Sequence, residues 1–212
     1  MPKIYLSPSM QPANACAFGD NEQKHCNEVM DILEQHLIRC GFECKRNKNW
    51  SNLSAIATES NAYAPDLHFA LHTNANNTKI RGHHVYYYPS SASGKKMAGI
   101  LVKNHAKMYS VSGAQNEAIG NSSYTEVKKT KAPAVIEETV FHDNAEDAKW
   151  YHAHYAEVAE YCAKSICEYF GVPYVEEKPT VDWEKMYYDE KARADKLTEA
   201  INKAVEILNK AL

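Results

Sequence analysis

The sequence predicts an α/β fold with a mostly parallel central sheet flanked by helices, followed by a C-terminal helical tail. Two observations support this prediction. Short apolar runs typical of buried strands alternate with longer segments in which apolar residues recur at helical spacing. That alternation is typical of parallel sheets covered by helices, because parallel strands need long crossover connections. Beyond residue 171 the pattern changes to a linker and one long amphipathic stretch.

The first half of the chain gives three strands and two helices in turn. Residues 3–6 form an apolar run that Ser7-Pro8 interrupts. Residues 21–40 then carry apolar side chains at helical spacing, and Gly41 ends that helix. The next three predicted elements are a strand, a helix capped by Ser51 or Asn52, and a strand that follows Pro65; they span residues 42–46, 51–63 and 67–72.

The second half continues the alternation with two strands and two helices. A strand over residues 83–88 ends at Pro89 and is followed by a helix over residues 92–108. Residues 134–141 form the last predicted strand, and residues 145–170 form one long helix. Reactive side chains of such sheets usually lie at the carboxyl ends of the strands, where His72 and the residues after Phe141 are placed.

Composition and charge exclude several classes of function. A net charge of −3 leaves no basic surface of the kind that binds nucleic acid. No apolar stretch is long enough for a membrane span, and the N-terminal residues lack the apolar core of a signal peptide. The six cysteines are scattered, so we expect reduced, packed thiols and a protein made in the cytoplasm without a signal peptide.

The tail after the first domain has the sequence pattern of a coiled coil. We expect a first domain over residues 1–171, a proline-containing linker over 172–182 and an amphipathic helix over 183–212. Steps of four and three separate the stripe positions 183, 187, 190, 194, 197, 201, 204, 208 and 211, of which only Glu190 is charged. The pattern predicts a homo-oligomer; the alternative is a helix folded back onto its own domain.

Two histidines at a strand end are candidate metal ligands. His68 and His72 are four residues apart in a predicted strand and so share a face. Small polar residues follow His72, which suits the wall of a site, although strand-end histidines also serve as hydrogen-bonded structural residues. Glu22 opens the first long helix, where it can reach the same crevice, and His25 lies on its face of the helix.

Glu137 and Glu138 interrupt an apolar run, where a buried carboxylate is costly unless a metal, hydrogen bond or substrate compensates it. Strand alternation predicts that Glu138 shares a face with Ile136, Val140 and His142, whereas Glu137 points the other way. A carboxylate beside a metal-bound water is what amide hydrolysis needs, since it takes a proton from water and returns it to the leaving amine. Zinc suits such nitrogen and carboxylate ligands.

Four segments together resemble one enzyme family. They are KIYLSPS at residues 3–9, Asn21-Glu22 at the helix start, PDLHFALHTNA at residues 65–75 and APAVIEETVFHDN at residues 132–144. In order and spacing the chain resembles the zinc-dependent N-acetylmuramoyl-L-alanine amidases of the type 3 amidase family, in the divergent branch found among phage endolysins. The resemblance covers residues 3–170 and leaves out the tail.

The resemblance implies an activity and a ligand set. The family cleaves the amide between the lactyl group of N-acetylmuramic acid and the L-alanine of the stem peptide of bacterial peptidoglycan. It holds Zn²⁺ with a histidine from the first strand loop, a glutamate at the first helix and a histidine at a later strand end. Glu22 and His72 match the second and third ligands, and Glu138 matches the catalytic carboxylate.

The histidine of the first strand loop has no counterpart. Where the family has Asp-Pro-Gly-His, this chain has Ser7-Pro8-Ser9-Met10, and a thioether is a poor zinc ligand. We expect His142 to replace the missing ligand, with His25 as the second candidate. The alternatives are a supporting or substrate-binding role for His142 and a solvated helix position for His25. His68 is expected to orient a ligand, and Asn74 to orient the substrate.

The resulting hypothesis is a phage-type peptidoglycan amidase that reaches the cell wall after release during lysis. Two alternatives stay open. One is a wall-binding module that keeps the cleft but has lost the metal together with the first histidine. The other is a zinc peptidase that cleaves within the stem peptide.

Overall fold

The computed structural model describes residues 1–47, 52–177 and 183–211, which fall into two compact units, Met1–Val175 and Glu176–Leu212. The strands are β1 (Lys3–Pro8), β2 (Glu43–Arg46), β3 (Leu67–Asn74), β4 (Gly82–Tyr87), β5 (Gln115–Gly120) and β6 (Ala134–Phe141). The helices are α1 (Glu22–Arg39), α2 (Leu53–Tyr63), α3 (Ala92–Met108), α4 (Thr125–Lys129), α5 (Ala145–Ala153), α6 (Tyr155–Phe170) and α7 (Trp183–Ala211).

The six strands form one sheet in the order β2-β1-β3-β6-β4-β5. Every neighbouring pair is parallel except β4 and β6, which are antiparallel. The predicted α/β fold with a mostly parallel sheet is therefore confirmed. The order brings the carboxyl ends of β1, β3 and β6 side by side, and this places the segments after Pro8, His72 and Glu138 at one edge.

Alternation along the strands separates two layers of helix. One face of the sheet forms the large core with α1, α3 and α6, to which Leu6, Phe69 and Val135 contribute fully buried side chains. On the other face the smaller cluster packs against α4; it consists of Ala70, Val127, Ala134 and Ile136. The candidate site lies on this second face, which carries the smaller of the two apolar clusters.

One predicted helix needs correction, and two short elements were not predicted. The helix predicted over residues 145–170 is two helices, because His154 leaves helical geometry and its Nδ1 bonds the carbonyl of Trp150 at 2.6 Å. Strand β5 and helix α4 were not predicted; both are short and polar. The predicted cap Ser51 and the linker residues 178–182 lie outside the described residues, and the helix cap is Asn52, which accepts from the Ser54 amide at 2.8 Å.

The predicted tail helix is present as α7, and its side chains from residue 186 to residue 210 are exposed. The boundaries 1–171, 172–182 and 183–212 stay predictions. Among the described residues, no helix combines the length and the apolar character needed to cross a bilayer.

Candidate active site

Glu22 and His72 meet at the edge of the sheet. Asn21 caps α1 by accepting from the Lys24 amide, so Glu22 is the first helical residue and its side chain turns toward β3. Glu22 Oε1 lies 2.9 Å from His72 Nδ1 and accepts from the Thr73 amide at 3.3 Å. Two elements distant in sequence therefore hold one carboxylate against one imidazole, and both groups are buried.

The contact shifts both pKa values toward the charged forms. Burial alone raises the pKa of Glu22, but the His72 hydrogen bond and charge and the Asn14 hydrogen bond outweigh it and lower that pKa. Burial likewise disfavours the imidazolium of His72. The Glu22 hydrogen bond and the charges of Glu138 and Glu22 override it and raise the pKa of His72 to about 9. Each group therefore favours the charged form of the other.

Glu138 faces this pair from the next strand. It is the register partner of His72 across β3 and β6, so the two side chains leave the sheet on one face. Burial raises the pKa of Glu138 to about 7; the charge of His72 opposes the shift, and the charges of Glu22 and Glu137 add to it. Its Oε2 atom is buried and has no hydrogen-bond partner among the described residues. A buried carboxylate oxygen without a partner needs an explanation, and beside the cavity a bound water or ion would supply one.

His72 and Glu138 open into a cavity of about 450 Å³. That size is within the range of small-molecule sites, and the walls are partly apolar. The lining residues are Met10, Gln11, Asn52, Leu53, His72, Tyr124, Thr125, Glu126, Ile136 and Glu138.

A family model described as N-acetylmuramoyl-L-alanine amidase matches residues 10–168, more than half of the 212-residue chain. The chain belongs to this amidase family. The match includes Glu22, His72 and Glu138, the three residues that the structure brings together. A search of curated proteins gave no significant match.

Solved amidase structures share the fold at low identity. The N-acetylmuramoyl-L-alanine amidase AmiC2 of Nostoc punctiforme has a TM-score of 0.71 and 16% identity over 80% of this chain and 97% of its own. The amidase of Clostridium difficile 630 has a TM-score of 0.72 and 14% identity over 80% and 97%. The catalytic domain of the CD27L endolysin, which targets Clostridia difficile, has a TM-score of 0.67 and 21% identity over 79% and 98%.

A β-bulge separates His142 from the face of Glu138 in this amidase-family chain. From His72 to Asn74, two residue steps of β3 match three steps of β6, so the side-chain alternation of β6 shifts by one. The prediction that Val140 and His142 share the face of Glu138 is therefore wrong, and Val140 packs in the large core. His142 Nδ1 lies 3.0 Å from the Thr73 carbonyl and 2.9 Å from the Thr73 hydroxyl. Its role as a metal ligand stays a prediction.

His25 and His68 have other partners. The ring nitrogens of His25 bond the hydroxyl of Tyr155 and, at 2.8 Å, the carbonyl of Gly19. His68 lies under the cavity, with Nδ1 2.9 Å from the Ser60 hydroxyl and its ring stacked on Tyr5. The structure therefore brings neither histidine into contact with the Glu22–His72 pair, and their predicted roles as alternative ligands or orienting groups are untested.

Asn74 lies beyond His72 at the end of β3. Its amide nitrogen is 3.0 Å from His84 Nδ1, and the hydroxyl of Tyr86 is 3.3 Å from the same atom. Tyr86 in turn contacts Tyr124 at the cavity wall, with ring centroids 4.9 Å apart. Asn74 therefore lies close to the aromatic side chains of Tyr86 and Tyr124. Its predicted role in orienting the substrate stays a prediction.

Glu126 is a buried carboxylate at the cavity that sequence reasoning missed. It accepts from the Ser7 hydroxyl at 2.7 Å, and its Oε2 is 3.6 Å from His68 Nε2. Burial raises its pKa, but the nearby His68, the charge of His72 and the Ser7 hydrogen bond give a net lowering. Glu126 lies on α4, a five-residue helix without apolar periodicity, so nothing in the sequence pattern marked it.

Two side chains at the site, Glu22 and His72, are suited to bind one divalent cation. Glu22 Oε1 and His72 Nδ1 converge on one region, and the unpartnered Oε2 of Glu138 is available on the next strand for a water. Across the described parts of the chain, no three side chains of His, Cys, Asp or Glu cluster as a complete metal site. Met10 lines the cavity where the family's first histidine is expected.

Proposed function

We propose that this chain is a peptidoglycan hydrolase that cleaves the amide between N-acetylmuramic acid and the L-alanine of the stem peptide. The observation that carries the proposal is that His72 contacts Glu22 and is the register partner of Glu138 at the wall of one cavity, in a chain of the N-acetylmuramoyl-L-alanine amidase family. The cavity can accept a small amide-bearing group, since its volume of about 450 Å³ is within the range of ligand sites.

The chain's own residues divide the chemistry between them. Glu22 and His72 would hold Zn²⁺, which when bound supplies a Lewis acid for the amide carbonyl and lowers the pKa of water. Glu138 takes the proton of the attacking water at its free oxygen and then delivers it to the nitrogen of the departing alanine. Burial raises the pKa of Glu138 to about 7, which suits a group that must both accept and donate a proton.

The decisive experiment identifies the bond that breaks. Purified peptidoglycan incubated with the full chain and Zn²⁺ is expected to release stem peptides with a new N-terminal L-alanine, detected by mass spectrometry and amine labelling. A chelator should abolish the release, and added zinc should restore it. Peptides cleaved between two stem residues would instead identify a peptidase. Wall binding without new amines would identify a binding module.

Bacteriophage lysis is the setting that we propose for this activity. Its support is the fold that this chain shares with the catalytic domain of the CD27L endolysin, which targets Clostridia difficile. In that setting the protein would act on the cell wall after release from the cell in which it is made.

The tail is proposed to pair with a second copy of itself. On α7 the heptad stripe includes Tyr187, Leu197, Ile201 and Leu208, and all four side chains are more than half exposed. Residues 183–212 carry six acidic and six basic side chains, so net charge does not oppose association. Lys203, for example, pairs with Glu199 at 2.7 Å along the helix. A lone helix is marginal in water, and burying this stripe would stabilise it.

Deletion of residues 183–212 tests the pairing. The full chain is expected to scatter light as an oligomer, and the truncated chain as a monomer with unchanged amide cleavage per active site. A matched control keeps the length but replaces Leu197 and Ile201 with glutamate. An unchanged molar mass in both variants would show that the tail does not mediate association.

A further inference from the structure

We propose that the side-chain carboxamide of Gln11 is the third protein ligand of the metal, in place of the family's histidine where this chain has Met10. The proposal rests on the proposed function, because it assigns a ligand to that same site. It concerns the loop after β1, the same loop that carries the missing histidine in the family.

The contacts of His72 carry the proposal. In the described part of the chain, two side chains lie within hydrogen-bonding distance of His72 Nδ1: Glu22 at 2.9 Å and Gln11 at 3.4 Å. Two ligands of one tetrahedral zinc ion, each at about 2.0–2.2 Å, are about 3.3 Å apart. The two separations from His72 Nδ1, to Glu22 Oε1 and to the amide nitrogen of Gln11, are therefore close to those of donors around one small cation.

Asn14 contacts two of these three groups. Its amide nitrogen donates to Glu22 Oε2 at 2.7 Å and to Gln11 Oε1 at 3.0 Å, so one side chain holds Gln11 beside the carboxylate. A half-turn of the Gln11 amide exchanges its oxygen and nitrogen without moving the rest of the side chain. That turn gives up an exposed hydrogen bond to Asn14 and aims Gln11 Oε1 at the region shared with His72.

Other candidate donors are engaged or chemically poor. Met10 lines the cavity, but its thioether is a weak ligand for zinc. His142 Nδ1 is occupied by Thr73, and both ring nitrogens of His25 have partners.

The ligand set has a consequence for metal affinity. One imidazole, one carboxylate and one neutral carboxamide bind zinc less tightly than two imidazoles and a carboxylate, because nitrogen ligands suit zinc and amide oxygens suit harder ions. We expect weaker zinc binding than Gln11→His would give. In that case the absence of the family's histidine lowers the zinc affinity of the site without abolishing zinc binding.

Zinc affinity of the full chain, measured by calorimetry and chelator competition, tests the assignment. Gln11→Ala is expected to raise the zinc Kd at least tenfold, and Gln11→His to lower it at least tenfold. The neighbouring cavity substitution Met10→Leu is the matched control and should leave the Kd unchanged. The visible spectrum of the Co²⁺-loaded protein should change with Gln11→Ala and not with Met10→Leu, since only the first alters the ligands.

The outcomes separate this inference from the proposed function. Gln11 is exposed, so its variants should fold like the parent chain, and a melting curve without metal checks this. Equal zinc affinity in Gln11→Ala and the parent would overturn the inference while leaving the amidase proposal intact. A loss of zinc affinity in His142→Ala would instead identify His142 as the third protein ligand. No zinc binding by the parent, together with no amine release from peptidoglycan, would overturn both.

Discussion

Replacing Glu138 with glutamine is expected to lower the rate of peptidoglycan amide cleavage by about 100-fold or more. The amide has the size of the carboxylate but cannot take a proton from water or return it to the leaving alanine. The measurement is the initial rate of new N-terminal alanine at saturating zinc. Zinc affinity should be unchanged, because Glu138 is not one of the groups in contact with His72 Nδ1.

The same substitution should leave the fold intact. Glu138 Oε2 has no hydrogen-bond partner among the described residues, so the exchange removes no bond made by that atom. The free energy of unfolding of Glu138→Gln is expected to equal that of the parent within about 0.5 kcal/mol, or to exceed it, because a buried charge is removed. Retained turnover would move the proton-transfer role elsewhere, and Glu126, the other carboxylate of the cavity floor, would be the first residue to test.

Much of this site follows from the sequence because it depends on strand ends. An apolar run that terminates in His72 and another that carries Glu138 predict two buried parallel strands, and adjacent parallel strands place such residues side by side. The strand order itself did not follow from the pattern; in the structure β3 and β6 are neighbours, and His72 is in register with Glu138. Glu22 was predictable for a different reason, since Asn21 is a strong helix cap and fixes where the first turn begins.

What could not be predicted depends on irregular structure. Strict alternation puts His142 on the face of Glu138, but one extra residue in β6 reverses the faces beyond it. A bulge leaves no clear signature in a run of apolar residues. Glu126 was missed because α4 has five residues and no hydrophobic period. Gln11 was missed because the contact of a loop side chain with β3 is purely tertiary.

The neighbouring carboxylate, Glu137, has a different role from Glu138. As alternation predicted, it points to the opposite face, where it is fully buried. His83 Nε2 lies 2.5 Å from Glu137 Oε1, and the hydroxyl of Tyr161 donates to the same oxygen. His83 stacks on His105 with ring centroids 3.8 Å apart, so the carboxylate joins β4, β6, α3 and α6 in one polar network inside the core.

Glu137→Ala is expected to lower the free energy of unfolding by about 3–5 kcal/mol, because it leaves His83 and Tyr161 buried without their acceptor. Urea denaturation followed by circular dichroism measures the loss. Glu137→Gln is the matched control, since it keeps an oxygen for both donors; it should cost about 1–2 kcal/mol and retain amide cleavage. The two substitutions to glutamine therefore have opposite expected effects. Glu138→Gln lowers activity and leaves stability unchanged, whereas Glu137→Gln lowers stability and leaves activity unchanged. If Glu137→Gln instead lost cleavage while folding normally, proton transfer would depend on both carboxylates. The opposite faces of Glu137 and Glu138 on the strand would then not be enough to assign them different roles.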